Sequence, residues 1–209
     1  MTLYDNIPEE RGLFIVLSGP SGVGKNSIID ALRTEDPQRF HSVSMTTRTP
    51  RIGEVDGHSY HFTTRENFER LMTEGEILEY DIYCDEYYGT PKEPVDRMIA
   101  QNIDILLDLT VKGALELKAN CPNAVIIFVT SSTEEALRER LNARGTETEK
   151  AIEARLMTAR KELLQIEHFD YWVLNDEVEQ AAADISAIMR AEKRRIARLF
   201  VDECNIGTV

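Results

Sequence analysis

The stretch Leu13-Phe14-Ile15-Val16-Leu17-Ser18-Gly19-Pro20-Ser21-Gly22-Val23-Gly24-Lys25-Asn26-Ser27 joins an unbroken apolar run to a glycine-rich turn. A run without polar alternation is expected of a strand buried on both faces, as in a parallel sheet. Helical spacing resumes from Ser27 to Arg33, so the segment predicts strand, loop, helix. The spacing Gly-x4-Gly-Lys across 19–25 lets the backbone curl, so that its N–H groups and the following helix N-terminus face an anion while Lys25 adds a full charge. A tight connection without a ligand explains neither Lys25 nor the strand and helix on either side. The residues expected to hold nucleotide phosphates are Gly19, Ser21, Gly22, Val23, Gly24, Lys25, Asn26 and Ser27. Asn26 stands where the motif has a hydroxyl for Mg²⁺, and Ser27 supplies one a residue late; an amide oxygen holds Mg²⁺ weakly or through water.

Two further apolar runs, Ile103 to Leu109 and Ala124 to Val129, resemble the first. Helices are predicted over Glu93 to Ala100, Thr133 to Leu141 (with Ser132 and Glu135 as a capping box), Glu149 to Ile166, and from about Val178, with a strand at Tyr171 to Leu174. Strands alternating with helices imply a three-layer α/β sandwich around a parallel sheet. Ser42 to Tyr88 breaks the rhythm with β-like pieces at Ser42 to Ser44, Tyr60 to Phe62 and Ile77 to Tyr83, and a helix over Thr64 to Thr73 capped by Thr63 with Glu66. This reads as a lobe inserted into the core.

The chain has 209 residues, enough for one domain whose core needs no disulfide or metal staple. Its three cysteines, Cys84, Cys121 and Cys204, are too few and scattered for a disulfide framework or metal cluster, and a reducing compartment is expected. The four histidines show no ligand or triad spacing. Lys and Arg number 24 against 37 Asp and Glu, a net charge of −13, which argues against nucleic-acid binding. No stretch approaches the roughly 20 apolar residues that span a bilayer, and Met1 to Arg11 lacks a targeting pattern, so a soluble cytoplasmic protein is expected. The run Arg190 to Arg198, with five cations against one acid, reads as a solvated helix end rather than an interaction helix.

In so acidic a chain, Arg39 to Arg51 is notable for three arginines and no acid, and Thr46-Thr47-Arg48-Thr49-Pro50-Arg51 suits clamping one phosphate. With Gly19 to Lys25, Ser42 to Gly57, Tyr87-Tyr88-Gly89-Thr90, Arg144-Gly145-Thr146-Glu147 and Asn175-Asp176, the chain resembles guanylate kinase from about Gly12 to Met189. The resemblance implies a P-loop kinase core at 12–41 and 91–209 with a lid at about 131–150, and a GMP-binding lobe at 42–90. It implies ATP as donor, Mg²⁺ as cofactor and GMP as acceptor. By the same resemblance Ser44, Arg48, Arg51, Tyr60 and Tyr88 hold the GMP phosphate, while Glu79 and Thr90 meet guanine. Arg140, Arg144 and Arg155 contact the donor phosphates, Asn175 lies near adenine, and Asp108 contacts the GMP side and holds Mg²⁺ through water.

The family carries a second acid, also facing guanine, where Thr110 stands here. A threonine brings one hydrogen bond and no charge, so looser purine selection is expected. The implied reaction is transfer of the ATP γ-phosphoryl group to GMP, with Lys25, Arg48 and the lid arginines as catalytic residues. A kinase of another phosphorylated acceptor, such as a ribose bisphosphate, and a non-catalytic guanylate-kinase-like binding module remain alternatives. Oligomeric state and the choice between GMP and dGMP stay open.

Overall fold

The computed structural model describes residues 12–83, 85–143 and 148–199. In chain order, the first half contains β1 (Phe14–Ser18), α1 (Lys25–Glu35), β2 (Phe40–His41), β3 (Met45–Thr46), β4 (His61–Phe62), α2 (Arg65–Thr73), β5 (Ile77–Tyr83) and β6 (Glu86–Pro91). The second contains α3 (Lys92–Ile99), β7 (Ile105–Asp108), α4 (Val111–Asn120), β8 (Val125–Thr130), α5 (Glu134–Ala143), α6 (Glu149–Leu163), β9 (Tyr171–Leu174), α7 (Val178–Lys193) and α8 (Ile196–Leu199).

β1 lies in the middle of a parallel five-stranded sheet of order β2-β7-β1-β8-β9. Its side chains alternate between two apolar layers. Ile15 and Leu17 meet Ile28, Ile29 and Leu32 of α1 and Ile185 and Met189 of α7. Phe14 and Val16 meet Val95 of α3 and Ala114 and Leu117 of α4. Burial of each such side chain contributes about 1.5–3 kcal/mol, which is why the run tolerates no polar residue until Ser18. The three-layer α/β class expected from the apolar runs is the observed one.

A second sheet, β4-β3-β6-β5, mixes parallel and antiparallel pairs and holds the interrupted region together. The expected strand at Ser42 to Ser44 is not formed. Ser42 is buried and donates its N–H to Leu106 O at 3.1 Å, extending the core ladder beyond β2, and the lobe sheet starts only at Met45. Helix caps shift by one residue. Thr64, not Thr63, accepts from Asn67 N–H at 3.2 Å, while Thr63 takes the Asn67 side-chain amide at 2.7 Å. Likewise Thr133 accepts from Ala136 N–H at 3.1 Å, and Ser132 donates its own N–H to Asp176 Oδ1 at 3.1 Å. In both cases adjacent hydroxyl residues compete, and the one whose carbonyl starts the helix wins. α6 stops at Leu163, short of Ile166, which instead opens a 3₁₀ turn to His168.

α5 and α6 form a pair with a small core of their own: Leu137, Leu141, Ile152, Leu156 and Ala159. The basic run at the end of α7 is not simply solvated. Lys193 pairs with the buried Asp104 at 2.8 Å, and Asp104 also accepts Leu13 N–H at 2.8 Å. Arg198 reaches the buried Glu192 and Asn123 O. These cations tie the chain end to the strand entering the core. Cys121 is buried after α4. Among the described residues no helix is long and apolar enough to cross a membrane.

Candidate active site

The loop between β1 and α1 is forced by its glycines. Gly19, Gly22 and Gly24 have φ of 131°, 92° and 95°, where side chains strain the backbone. A Cβ on Gly19 would lie 2.1 Å from Val129 O, and one on Gly24 2.6 Å from Asn175 Nδ2. α1 therefore begins hard against the loop, with neither a capping side chain nor an acid in its first turn. Its N–H groups and positive end face whatever sits in the loop. Lys25, the first residue of α1, folds back across the opening: its Nζ donates to Gly19 O at 3.0 Å and lies 3.4 Å from Asp108 Oδ1. Asn26 and Ser27 stand exposed in the same turn.

The α5–α6 pair leans on this loop. Arg155 Nη1 donates to Ser21 Oγ at 3.0 Å, and Arg140 donates to Val23 O at 3.1 Å and Asp176 O at 3.2 Å. Asn175 also donates to Val23 O, at 2.7 Å, and its buried Oδ1 has no hydrogen-bond partner among the described residues. Beside them opens a cleft of about 430 Å³ lined by Ser132, Ala136, Glu139, Arg140, Ala143 and Asp176. Arg144 lies outside the described residues.

On the lobe, Arg48 is not the open fork expected for a phosphate clamp. Glu54 takes both of its terminal nitrogens, at 2.9 and 3.0 Å, and also accepts Arg51 N–H at 2.7 Å. The guanidinium lies over the rings of Tyr60 at 5.4 Å and Phe62 at 5.8 Å. The pairing holds the Glu54 carboxyl below the usual range. Tyr60 and Tyr88 meet edge to face at 5.9 Å, and burial, with Asp108 next in effect, raises the Tyr60 phenol. Ser44 joins through its carbonyl, which accepts His61 N–H at 2.9 Å, and the Arg51 side chain is exposed.

Deeper in the lobe, Glu79 is only 8% exposed and accepts the hydroxyl of buried Thr90 at 2.7 Å. Burial, with Asp81 and Glu116 nearby, pushes its carboxyl up to about 7. Its Oε2 would lie 2.4 Å from a Cβ on Gly113, so glycine there lets the first turn of α4 approach the carboxyl. Thr110 caps α4: its hydroxyl accepts Gly113 N–H at 3.1 Å and donates to Asp81 Oδ2 at 2.9 Å. Residue-by-residue reading assigned no role to Glu54 or Asp81. Glu54 lies in the Ser42 to Gly57 stretch that carries the resemblance, and Asp81, two residues beyond Glu79, reaches the same first turn of α4.

Among the described residues no three His, Cys, Asp or Glu side chains converge as a metal cluster. Loop and lobe meet at the end of β7, where Asp108 pairs with Lys25 at 3.4 Å and Thr110 donates to Asp81 of β5 at 2.9 Å. A phosphate-cradling loop on a parallel α/β core, faced by a lobe rich in arginine and tyrosine, defines a P-loop kinase. The family model described as guanylate kinase matches residues 11–192. Similar curated proteins include the guanylate kinases of Streptococcus thermophilus (strain CNRZ 1066), 44% identical over 91% of this chain and 92% of that protein, and of Desulfitobacterium hafniense (strain Y51), 42% identical over 91% and 95%. The crystal structure of guanylate kinase from Anaplasma phagocytophilum superposes with a TM-score of 0.74 at 31% identity, covering 92% of each chain. The chain belongs to the guanylate kinase family.

Proposed function

We propose that the chain transfers the γ-phosphoryl group of ATP to GMP, giving ADP and GDP. The observation that carries this reading is that the phosphate loop and the lobe meet at the end of β7: Lys25 lies 3.4 Å from Asp108, and Thr110, two residues on, donates to Asp81 of β5 at 2.9 Å. Donor and acceptor phosphates held on the two sides would meet there. The acceptor phosphate has a second pKa near 6, so it is largely ionised at neutral pH and needs no general base. Catalysis is then alignment plus charge neutralisation. Lys25 and the loop N–H groups bind the donor phosphates, with Arg140, Arg144 and Arg155 closing from the lid. Arg48, Arg51, Ser44, Tyr60 and Tyr88 bind the acceptor phosphate. Glu79 and Thr90 receive guanine, and the unpartnered Asn175 Oδ1 is suited to accept from the adenine amino group.

The exposed oxygens of Asn26 and Ser27 and the carboxylate of Asp108 fit Mg²⁺, a hard cation that takes one or two protein oxygens and otherwise phosphates and water. When bound, it neutralises charge on the transferring phosphates. We assign 42–90 as the GMP lobe, 12–41 and 91–209 as the core, and about 131–150 as the lid, supported by the separate lobe sheet and the separate apolar cluster of α5 and α6. ATP and GMP are small cytoplasmic metabolites, and the cytoplasm is the compartment we propose. A ribose bisphosphate would offer the buried Glu79 no N–H donor beside the Thr90 hydroxyl it already accepts, and a mere binding module has no use for Lys25 across the loop. A coupled assay of ADP release with GMP, dGMP, AMP, IMP and a ribose bisphosphate tests the reading. GMP should be preferred, and preference for a non-purine acceptor would overturn it.

A further inference from the structure

β5 carries two carboxylates, Glu79 within the register irregularity between Ile77 and Tyr80 and Asp81 just beyond it. Both meet the first turn of α4. Glu79 Oε2 sits against Gly113, while Asp81 Oδ1 accepts from Ile82 N–H at 2.8 Å and Lys112 Nζ at 3.3 Å, and Asp81 Oδ2 accepts from the Thr110 hydroxyl at 2.9 Å. Asp81 is 20% exposed, so it remains open to a ligand. Thr110, the residue expected to offer the second acceptor, is otherwise engaged: its one proton goes to Asp81 and one lone pair goes to Gly113. Its remaining capacity is a single neutral acceptor. The charged acceptor at this end of the pocket is Asp81.

Guanine presents two adjacent donors, N1–H and the exocyclic amino group. Glu79 already accepts from Thr90 through Oε1. Two carboxylates side by side repel each other, and a ligand that places N–H groups between them relieves that repulsion. Resting on the reading of this pocket as the guanine site, we propose that Asp81 accepts from the amino group of GMP, with Thr110 as the residue that positions it. The selectivity lost with an uncharged residue at 110 is thereby supplied from β5. The upward push of Glu79 by Asp81 fits two carboxyls that share one small pocket.

The test compares kcat/KM for GMP and IMP, which lacks the amino group, in the wild type and in Asp81→Ala, Asp81→Asn and Thr110→Val. Loss of a charge-assisted bond should lower the GMP-to-IMP ratio about tenfold in both Asp81 variants, chiefly through the KM for GMP. Thr110→Val should lower it less, since the Lys112 anchor remains. Thr110→Asp removes the donor that holds Asp81 and sets like charges together, so the ratio should fall there too. Equal losses on GMP and IMP, or a ratio raised by Thr110→Asp, would overturn the proposal. A purely structural role for either residue would produce those equal losses. A wild type that phosphorylates neither purine would instead dispose of the reading of the site, whereas good GMP turnover with a ratio indifferent to Asp81 disposes of this proposal alone.

Discussion

Arg48, proposed as a phosphate ligand, is also part of the framework of its own turn. Its guanidinium has five N–H groups, and Glu54 holds one end of the fork while Thr49 O takes another proton at 2.7 Å. Glu54 also fixes the backbone at Arg51, so it sets the shape of the whole 48–54 turn. Glu54→Ala should therefore raise the KM for GMP roughly fivefold, a charge-assisted bond discounted for partial exposure, and leave the KM for ATP nearly unchanged. Steady-state kinetics with each substrate varied separately check this; equal effects would place the turn elsewhere. Lys25→Ala should abolish phosphoryl transfer with the fold retained, because Lys25 reaches only loop and partly exposed Asp108 atoms. Circular dichroism with turnover measurements separates those outcomes. The residues carried by spacing, from Gly19 to Lys25, were legible in the sequence because backbone curl and charge depend on local order. Glu54 and Asp81 were not, because their meaning lies in partners at Arg48 and Thr110 that only the folded chain brings near.

At the scale of elements, the α5–α6 pair is joined to the phosphate loop by packing as well as by arginine. A Cβ on Gly22 would stand 2.7 Å from Leu141 Cδ2 of α5 and 3.6 Å from Leu137 Cδ1, at a φ where side chains are strained. Gly22→Ala should push α5 off the loop and raise the KM for ATP by about tenfold or more, since Arg140 of α5 moves with it. Leu141→Ala makes room for the added methyl but opens a cavity in the cluster with Ile152 and Leu156, which should lower stability by about 2–5 kcal/mol. Combining the two should recover part of the ATP affinity, and nucleotide titration of the three variants decides it. Most helices and the long core strands were legible within two or three residues, because apolar periodicity is strong there; α4 (Val111–Asn120) was not expected at all. β6 was quoted only as a Tyr-Tyr-Gly-Thr motif, because its strand character comes from pairing with β3 and β5 rather than from its own alternation.

For the whole molecule, a net charge of −13 repels two anionic substrates, so binding depends on what local groups do when the ligand arrives. Glu79 is the group whose charge changes most. Its carboxyl titrates at about 7 in the free protein against 4.5 ordinarily, chiefly because burial disfavours the anion. The folded state therefore prefers Glu79 protonated. That contribution is fully present below pH 4.5 and is lost as the pH rises through 7, a difference of about 3 kcal/mol at roughly 1.4 kcal/mol per unit. With guanine bound to Glu79 as proposed, the preference reverses, because the N–H groups of the base bind the carboxylate and not the acid. GMP should therefore release a proton on binding near neutral pH, and its Kd should weaken roughly tenfold between pH 8 and pH 6. The phosphate of GMP, with a second pKa near 6, adds only about a further twofold. In Glu79→Gln the apo protein should resist unfolding at pH 8 better than the wild type, while binding GMP more weakly and with only the phosphate's pH dependence. Calorimetric titration in buffers of different ionisation enthalpy, with Tm measured at both pH values, reads the proton count and the stability together. Identical pH profiles for the two proteins would mean that the buried carboxyl on β5 does not meet the base.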